Sequence, residues 1–245
     1  MEGRAHVRQR SAAAQLSPTT GRPDRRRGRA EYPAVVSASP RIALLTLGTG
    51  DHDLLRRQLT ELGARVETRS ALPEASGVIL IGDEDVTQQW TELRVGATAR
   101  QLERRLAGGG AVLGIGAGFQ AMFRYQHDGL EQWPGDVTPL SATSTPEGGA
   151  HIGWCRIRGG AGSRLLAGIE EPEFYFHHSH AVHDDPAQLG GGDTPLRPPI
   201  VSWAETPTPV VAMVENGPLS AVQFHPEKSG ETGTQLLRNW LATLR

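Results

Sequence analysis

Two stretches of this chain hold residue types and spacings that could do chemistry. In Gln223-Phe224-His225-Pro226-Glu227-Lys228-Ser229-Gly230, an imidazole and a carboxylate stand two residues apart, close enough to share one turn after a strand. Such a pair can move protons and hold the base in one tautomer, but it needs a nucleophile to serve. The other stretch, Val112-Leu113-Gly114-Ile115-Gly116-Ala117-Gly118-Phe119-Gln120, runs from apolar residues into a glycine-dense turn, and its spacing predicts a helix from Phe119 to Tyr125. This is the layout of a nucleophile elbow, where a strand stops abruptly and a reactive side chain sits on a sharp turn before a helix. Glycine permits the crowded backbone, and the start of the helix would offer positive potential to an anion. Yet Gly116, at the apex, has no side chain. The turn is written in the sequence, and the nucleophile is missing from it.

The elements that must position these stretches follow from hydrophobic patterning. Arg41 to Leu47 is a continuous apolar run of buried-strand length, and Gly48-Thr49-Gly50-Asp51 turns it into a helix. That helix carries Leu54, Leu55, Leu59 and Leu62 at helical spacing, with Asp51 as its N-cap and Gly63 as its stop. Arg65 to Thr68 and Gly77 to Ile81 are the next strands, and a helix is predicted from about Gln88 to Ala107, weakened by Gly96. Ala111 to Ile115 then delivers the elbow. The second half reads as strands over His151 to Ile157, Glu173 to His178, Pro209 to Glu215 and Leu219 to Phe224. A closing helix runs from about Glu231 to Leu244, with Leu236, Leu237, Trp240 and Leu241 inward. Alternation of this kind predicts a doubly wound α/β fold with a mostly parallel sheet flanked by helices. Sites in such sheets lie beyond the carboxyl ends of the strands, where both the elbow and the Gly82-Asp83-Glu84-Asp85 loop fall.

Taken together, the elbow and the His225–Glu227 pair resemble the class I glutamine amidotransferases. The likeness is closest to the glutaminase subunits of imidazole glycerol phosphate synthase. It extends, in order, through Gly129-Leu130, Trp133-Pro134-Gly135, His151-Ile152-Gly153-Trp154, Phe174 to Ser179 and His225 to Gly230, and covers roughly residues 41 to 245. The resemblance implies catalytic roles for His225 and Glu227 beside a cysteine, whose position Gly116 occupies. It also implies that Gly82, Ala117 and Gln120 line a glutamine site, and that His151, Ile152, Trp154 and Lys228 face a barrel-shaped, HisF-like cyclase subunit. In the family this cyclase receives ammonia from the glutaminase, so glutamine or ammonia is the implied ligand, with no cofactor. The expectation is a subunit that has lost glutaminase activity and serves as a noncatalytic partner of the barrel. Two alternatives stand beside it. One is an active amidotransferase subunit of histidine or related nitrogen-heterocycle biosynthesis. The other is an enzyme of a different class that reuses the pocket with His225 and Glu227.

Other candidates are weaker. Cys155, the single cysteine, sits on a predicted strand with nothing nearby in sequence to lower its pKa, and reads as a small core residue. His177, His178, His180 and His183, with His151 and His225, raise the question of a metal, with His178 and His180 sharing a face if one strand carries both. No Cys or His-x-x-Glu pattern completes a zinc set, so no metal is expected. Lys228 is the one lysine among 25 basic residues, which marks its position out.

Composition sets the remaining bounds. Residues 1–38 carry eight arginines against Glu2, Asp24 and Glu31, a charge of +5, which leaves −7 for the remainder. They show no burial period and read as a disordered tail ahead of one domain at 39–245. The net charge of −2 and the lack of aromatic interleaving among the arginines make nucleic acid an improbable partner. No apolar run approaches the ~20 residues of a membrane span, no signal-peptide core is evident, and a lone cysteine suits a reducing compartment. The chain therefore reads as cytoplasmic.

Overall fold

The computed structural model describes residues 39–48, 50, 52–67, 74–82, 97–124, 129–141, 149–189 and 198–244. The Arg-rich tail, Asp51, the 83–85 loop and the first half of the helix predicted from Gln88 lie outside the described residues. Ala38–Arg245 form one compact unit.

That unit is built on a nine-stranded sheet in the order β2-β1-β3-β4-β11-β10-β9-β6-β7. Its parallel half comprises β1 (Arg41–Leu47), β2 (Arg65–Glu67), β3 (Gly77–Gly82), β4 (Ala111–Gly116) and β11 (Leu219–Val222). Strands β10 (Val210–Asn216), β9 (Ile200–Ala204), β6 (His151–Gly159) and β7 (Glu173–His178) extend it antiparallel from β11 outward. A separate pair, β5 (Val137–Pro139) and β8 (His180–Val182), was not legible from patterning, nor was β9. The first two are three residues long, and β9 follows a proline-rich run.

Strand alternation divides the core in two. Ala43, Leu45, Val78, Leu80, Val112 and Ala221 pack beneath α2 (Ala97–Ala107) and α3 (Ala117–Gln120). Ile42, Leu44, Ile79, Ile81, Leu113 and Val222 pack beneath α1 (Asp53–Glu61) and α5 (Gly230–Ala242). A further helix, α4 (Pro186–Leu189), is a single turn. Leu236, Leu237, Trp240 and Leu241 face inward from α5 as their spacing predicts. Helices on both faces of the parallel half of the sheet give the expected doubly wound arrangement.

The elbow departs from the prediction in one respect. The helix after it starts earlier, at Ala117, and ends at Gln120 rather than continuing to Tyr125. Met122 and Phe123 donate to Phe119 and Gln120 in tighter i→i−3 turns, and Arg124 leaves to bridge Asp136. A four-residue helix has almost no aligned dipole, so the positive potential expected of its start is largely lost.

Close packing explains the flanking glycines. A Cβ at Gly118 would stand 1.9 Å from the carbonyl oxygen of Leu80, and one at Gly114 would stand 2.5 Å from that of Gly118. Helix α3 therefore lies backbone to backbone on β3 and β4. Gly118→Ala should lower unfolding stability by about 3 kcal/mol or more, because no flexible side chain can give way. Gly63→Ala, at a positive φ with open space around it, should cost less, about 1–2 kcal/mol of backbone strain. Urea titration of both variants checks this, and equal small losses would contradict the packing account.

Candidate functional site

The carboxyl ends of the parallel strands bring the two chemical stretches together. Gly82 ends β3 in register with Gly116 at the end of β4, and Gln223 to His225 follow β11 alongside. Gly116 adopts φ 58° and ψ −114°, a conformation that side-chain-bearing residues rarely hold. A Cβ placed there would lie 2.9 Å from the Gly82 carbonyl oxygen, 3.1 Å from His225 Cε1 and 3.3 Å from His225 Nε2. A side chain at this position would thus point at the imidazole, in a space tighter than a side chain ordinarily tolerates. The glycines of the elbow have different reasons: Gly114 and Gly118 are demanded by packing, and Gly116 by its backbone angle.

His225 and Glu227 meet as the spacing predicts. The Nδ1–H of His225 donates to Oε1 of Glu227 at 2.8 Å, and both residues are buried. This fixes the tautomer and leaves Nε2 facing Gly116, which is the orientation a general base requires. The turn that carries them, Pro226–Lys228, is a short 3-10 helix. Gln58 on α1 braces it from behind, donating to the Glu227 carbonyl at 3.2 Å.

Ala117 and Gln120 are both buried on α3 beside the elbow. The side-chain amide of Gln120 is already engaged. Its Nε2 donates to the His180 carbonyl at 2.9 Å and to Oε1 of Gln223 at 3.2 Å. Gln223 is fully buried and was missed as a site residue, although a glutamine at the end of an otherwise apolar strand is a usable signal.

The four residues expected at a partner surface divide. Ile152 and Trp154 are 41% and 56% exposed on one face of β6, and Lys228 is exposed on the 3-10 turn. Trp154 packs edge-on against Tyr175, its neighbour on β7, with ring centres 6.2 Å apart. His151 is a correction to the expectation. Strand alternation turns it inward, where it stacks on Phe176 at 4.5 Å and is 7% exposed.

His151 instead joins His178. These rings approach at 3.0 Å between Nδ1 of His151 and Nε2 of His178. Nδ1 of His178 lies 2.8 Å from the His180 carbonyl, which can only accept, so Nδ1 carries the proton and Nε2 accepts from His151. Burial first, then the neighbouring His151, pushes the His178 pKa down to about 3. His178 and His180 do not share a strand, since β7 ends at one and β8 begins at the other. Among the described residues no three His, Cys, Asp or Glu side chains gather as a metal site. Cys155 is half-buried on β6, and burial pushes its thiol pKa up, opposite to what a nucleophile needs. Among the described residues no helix is long and apolar enough to cross a membrane.

The chain is similar to known proteins in sequence and in fold. Residues 53–244 match the glutamine amidotransferase class-I family. The imidazole glycerol phosphate synthase subunit HisH of Streptomyces avermitilis is 38% identical over 219 residues, covering 85% of this chain and 99% of that protein. Its counterpart in Thermobifida fusca is 40% identical over 216 residues, covering 84% and 99%. At the level of fold, the structure of PurLQS from Thermotoga maritima overlays with a TM-score of 0.64 at 15% identity, covering 84% of this chain and 100% of the compared chain. The glutaminase domain of Trypanosoma brucei CTPS with bound acivicin overlays at 0.60, with 15% identity and coverage of 84% and 94%.

The His178 geometry has a measurable consequence. A histidine whose folded pKa lies below its unfolded value of 6.5 lets the unfolded chain bind the extra proton. Its contribution is complete above about pH 6.5 and is lost as pH falls toward 3. Melting temperature should therefore drop on going from pH 7 to pH 4.5, and drop less steeply in His178→Gln. Parallel slopes in the two proteins would mean that His178 does not titrate as its burial requires.

Proposed function

The chain belongs to the class I glutamine amidotransferases, and we propose that within that family it is a HisH-like subunit without glutaminase activity, acting as the noncatalytic partner of a HisF-like cyclase barrel. The observation that carries this reading is the closed geometry at Gly116. An amidotransferase of this class needs a thiolate to attack the glutamine amide and hold the acyl group while ammonia leaves. Gly116 offers no such atom, and the place of its Cβ is crowded by Gly82 and His225. His225 and Glu227 could still handle a proton, but no covalent intermediate can form for them to serve.

The surroundings support the same reading. The Gly82 carbonyl oxygen faces the elbow, 2.9 Å from where a Cβ on Gly116 would stand, so the backbone here turns an acceptor toward the apex. The amide of Gln120, the residue implied to hold substrate, is committed to His180 and Gln223. A barrel served by this subunit draws on free ammonia or another nitrogen donor. Docking, by contrast, has retained its materials: Trp154 and Ile152 side by side, with the chain's single lysine on the adjoining turn. The intact His225–Glu227 hydrogen bond favours a second reading, an active subunit in histidine or related heterocycle biosynthesis. A glutaminase assay separates the two. The same pair leaves room for an enzyme of another class, which would show turnover independent of the barrel.

Gly116→Cys should not restore the enzyme. Loss of one oxyanion donor typically costs about 10²–10³ in rate, and the new side chain must first displace the Gly82 carbonyl. Glutamate release from glutamine, measured for the variant alone and with the barrel, should stay at least about 100-fold below an intact amidotransferase. Turnover at the intact level would mean that only the thiol was lost. For docking, Lys228→Glu should weaken association with the cyclase barrel by about 2–5 kcal/mol, if its partner is a partly desolvated carboxylate. Calorimetric titration reads this, and an unchanged affinity removes Lys228 from the interface.

A further inference from the structure

If the chemistry is gone, the exact burial and pairing of His225 and Glu227 calls for another cause, and Ser229 supplies one. Ser229 is 1% exposed. Its hydroxyl donates to the His225 carbonyl at 2.6 Å and accepts the Tyr175 N–H at 2.9 Å. The N–H of His225 donates in turn to the Tyr175 carbonyl at 2.9 Å, so both backbone groups of Tyr175 are held by the two ends of one turn. Within that turn Lys228 N–H donates to the His225 carbonyl and Ser229 N–H to that of Pro226, each at 3.0 Å. Helix α5 closes it from the other side. Gly233 donates to the Ser229 carbonyl at 3.1 Å, and a Cβ on Gly233 would meet the Pro226 carbonyl oxygen at 1.9 Å. Tyr175 is also the cross-strand neighbour of Trp154 on the exposed face.

We propose that Ser229 is a positioning residue for docking: it fixes the His225–Lys228 turn to β7 and so sets where Lys228 stands relative to Trp154. On this account the His225–Glu227 hydrogen bond is retained as a cross-brace of the same turn rather than as a catalytic device. The inference rests on the docking role proposed above. Ser229→Ala leaves the Tyr175 N–H without its acceptor and frees one end of the turn, whereas Ser229→Thr keeps the hydroxyl.

The test uses the full chain and the imidazole glycerol phosphate synthase cyclase subunit from its own genome. Ser229→Ala should bind the barrel roughly tenfold more weakly, the size of effect that one buried donor left unpaired can produce. Ser229→Thr should recover most of that loss. In the isolated chain, the proton on His225 Nδ1, read by NMR, should exchange faster with solvent in Ser229→Ala and at the wild-type rate in Ser229→Thr. This readout would not move if Ser229 merely filled space. Should Ser229→Ala fail to fold, the Tyr175 amide of the wild type decides: exchange as fast as in an open loop would overturn the clasp. Wild-type affinity in a folded Ser229→Ala overturns the proposal. An unaltered affinity in Lys228→Glu overturns the docking reading instead, and the imidazole proton then judges the clasp by itself.

Discussion

The contact on which this domain depends has almost no side chains in it. Helix α3 rests on β3 and β4 through Gly118 against the Leu80 carbonyl and Gly114 against that of Gly118. Any Cβ at these places would push the helix off the sheet, and with it Phe119 and Phe123, which fill the core beneath α2. The same contact holds the end of β4 at the height where Gly116 faces His225. Packing and site geometry are here one constraint, so stability by itself is enough to hold the elbow in its shape.

The base and its carboxylate are held by a different constraint. The His225–Glu227 hydrogen bond is buried, and breaking it would leave a carboxylate or an imidazole unpaired out of water. Nothing comparable protects a nucleophile. Its removal exposes no polar group, and at a backbone angle of φ 58° a glycine is the residue with the least strain. Physical chemistry therefore penalises the loss of the base and its carboxylate more than the loss of the nucleophile.

Much of this was legible beforehand. The apolar runs of β1, β3 and β4 and the inward face of α5 follow directly from periodicity, because burial on both faces or on one stripe leaves a pattern in a single segment. The pairing of His225 with Glu227 was legible from their separation alone. The inward turn of His151 was not, since a family likeness does not say which face of a strand a residue takes, and alternation had to decide. Strands β5 and β8 escaped notice because each is stabilised by the other rather than by its own three residues. The engagement of Gln120 by His180 and Gln223 joins residues 60 and 103 positions apart, a contact that no local pattern encodes.

Strand β7 ends the nine-stranded sheet, and the outer edge of such a strand is ordinarily an open template for another chain. Here the N–H of Glu173 turns back to Glu171, and both backbone groups of Tyr175 are spent on His225 and Ser229. The sheet at the other end finishes in β2, only three residues long. The molecule can therefore expose the side chains of Trp154 and Ile152 without an open strand centre on β7 beside them. Whatever binds there must do so by laying a surface across side chains, because the edge beside them has no hydrogen bonds left to offer at its centre.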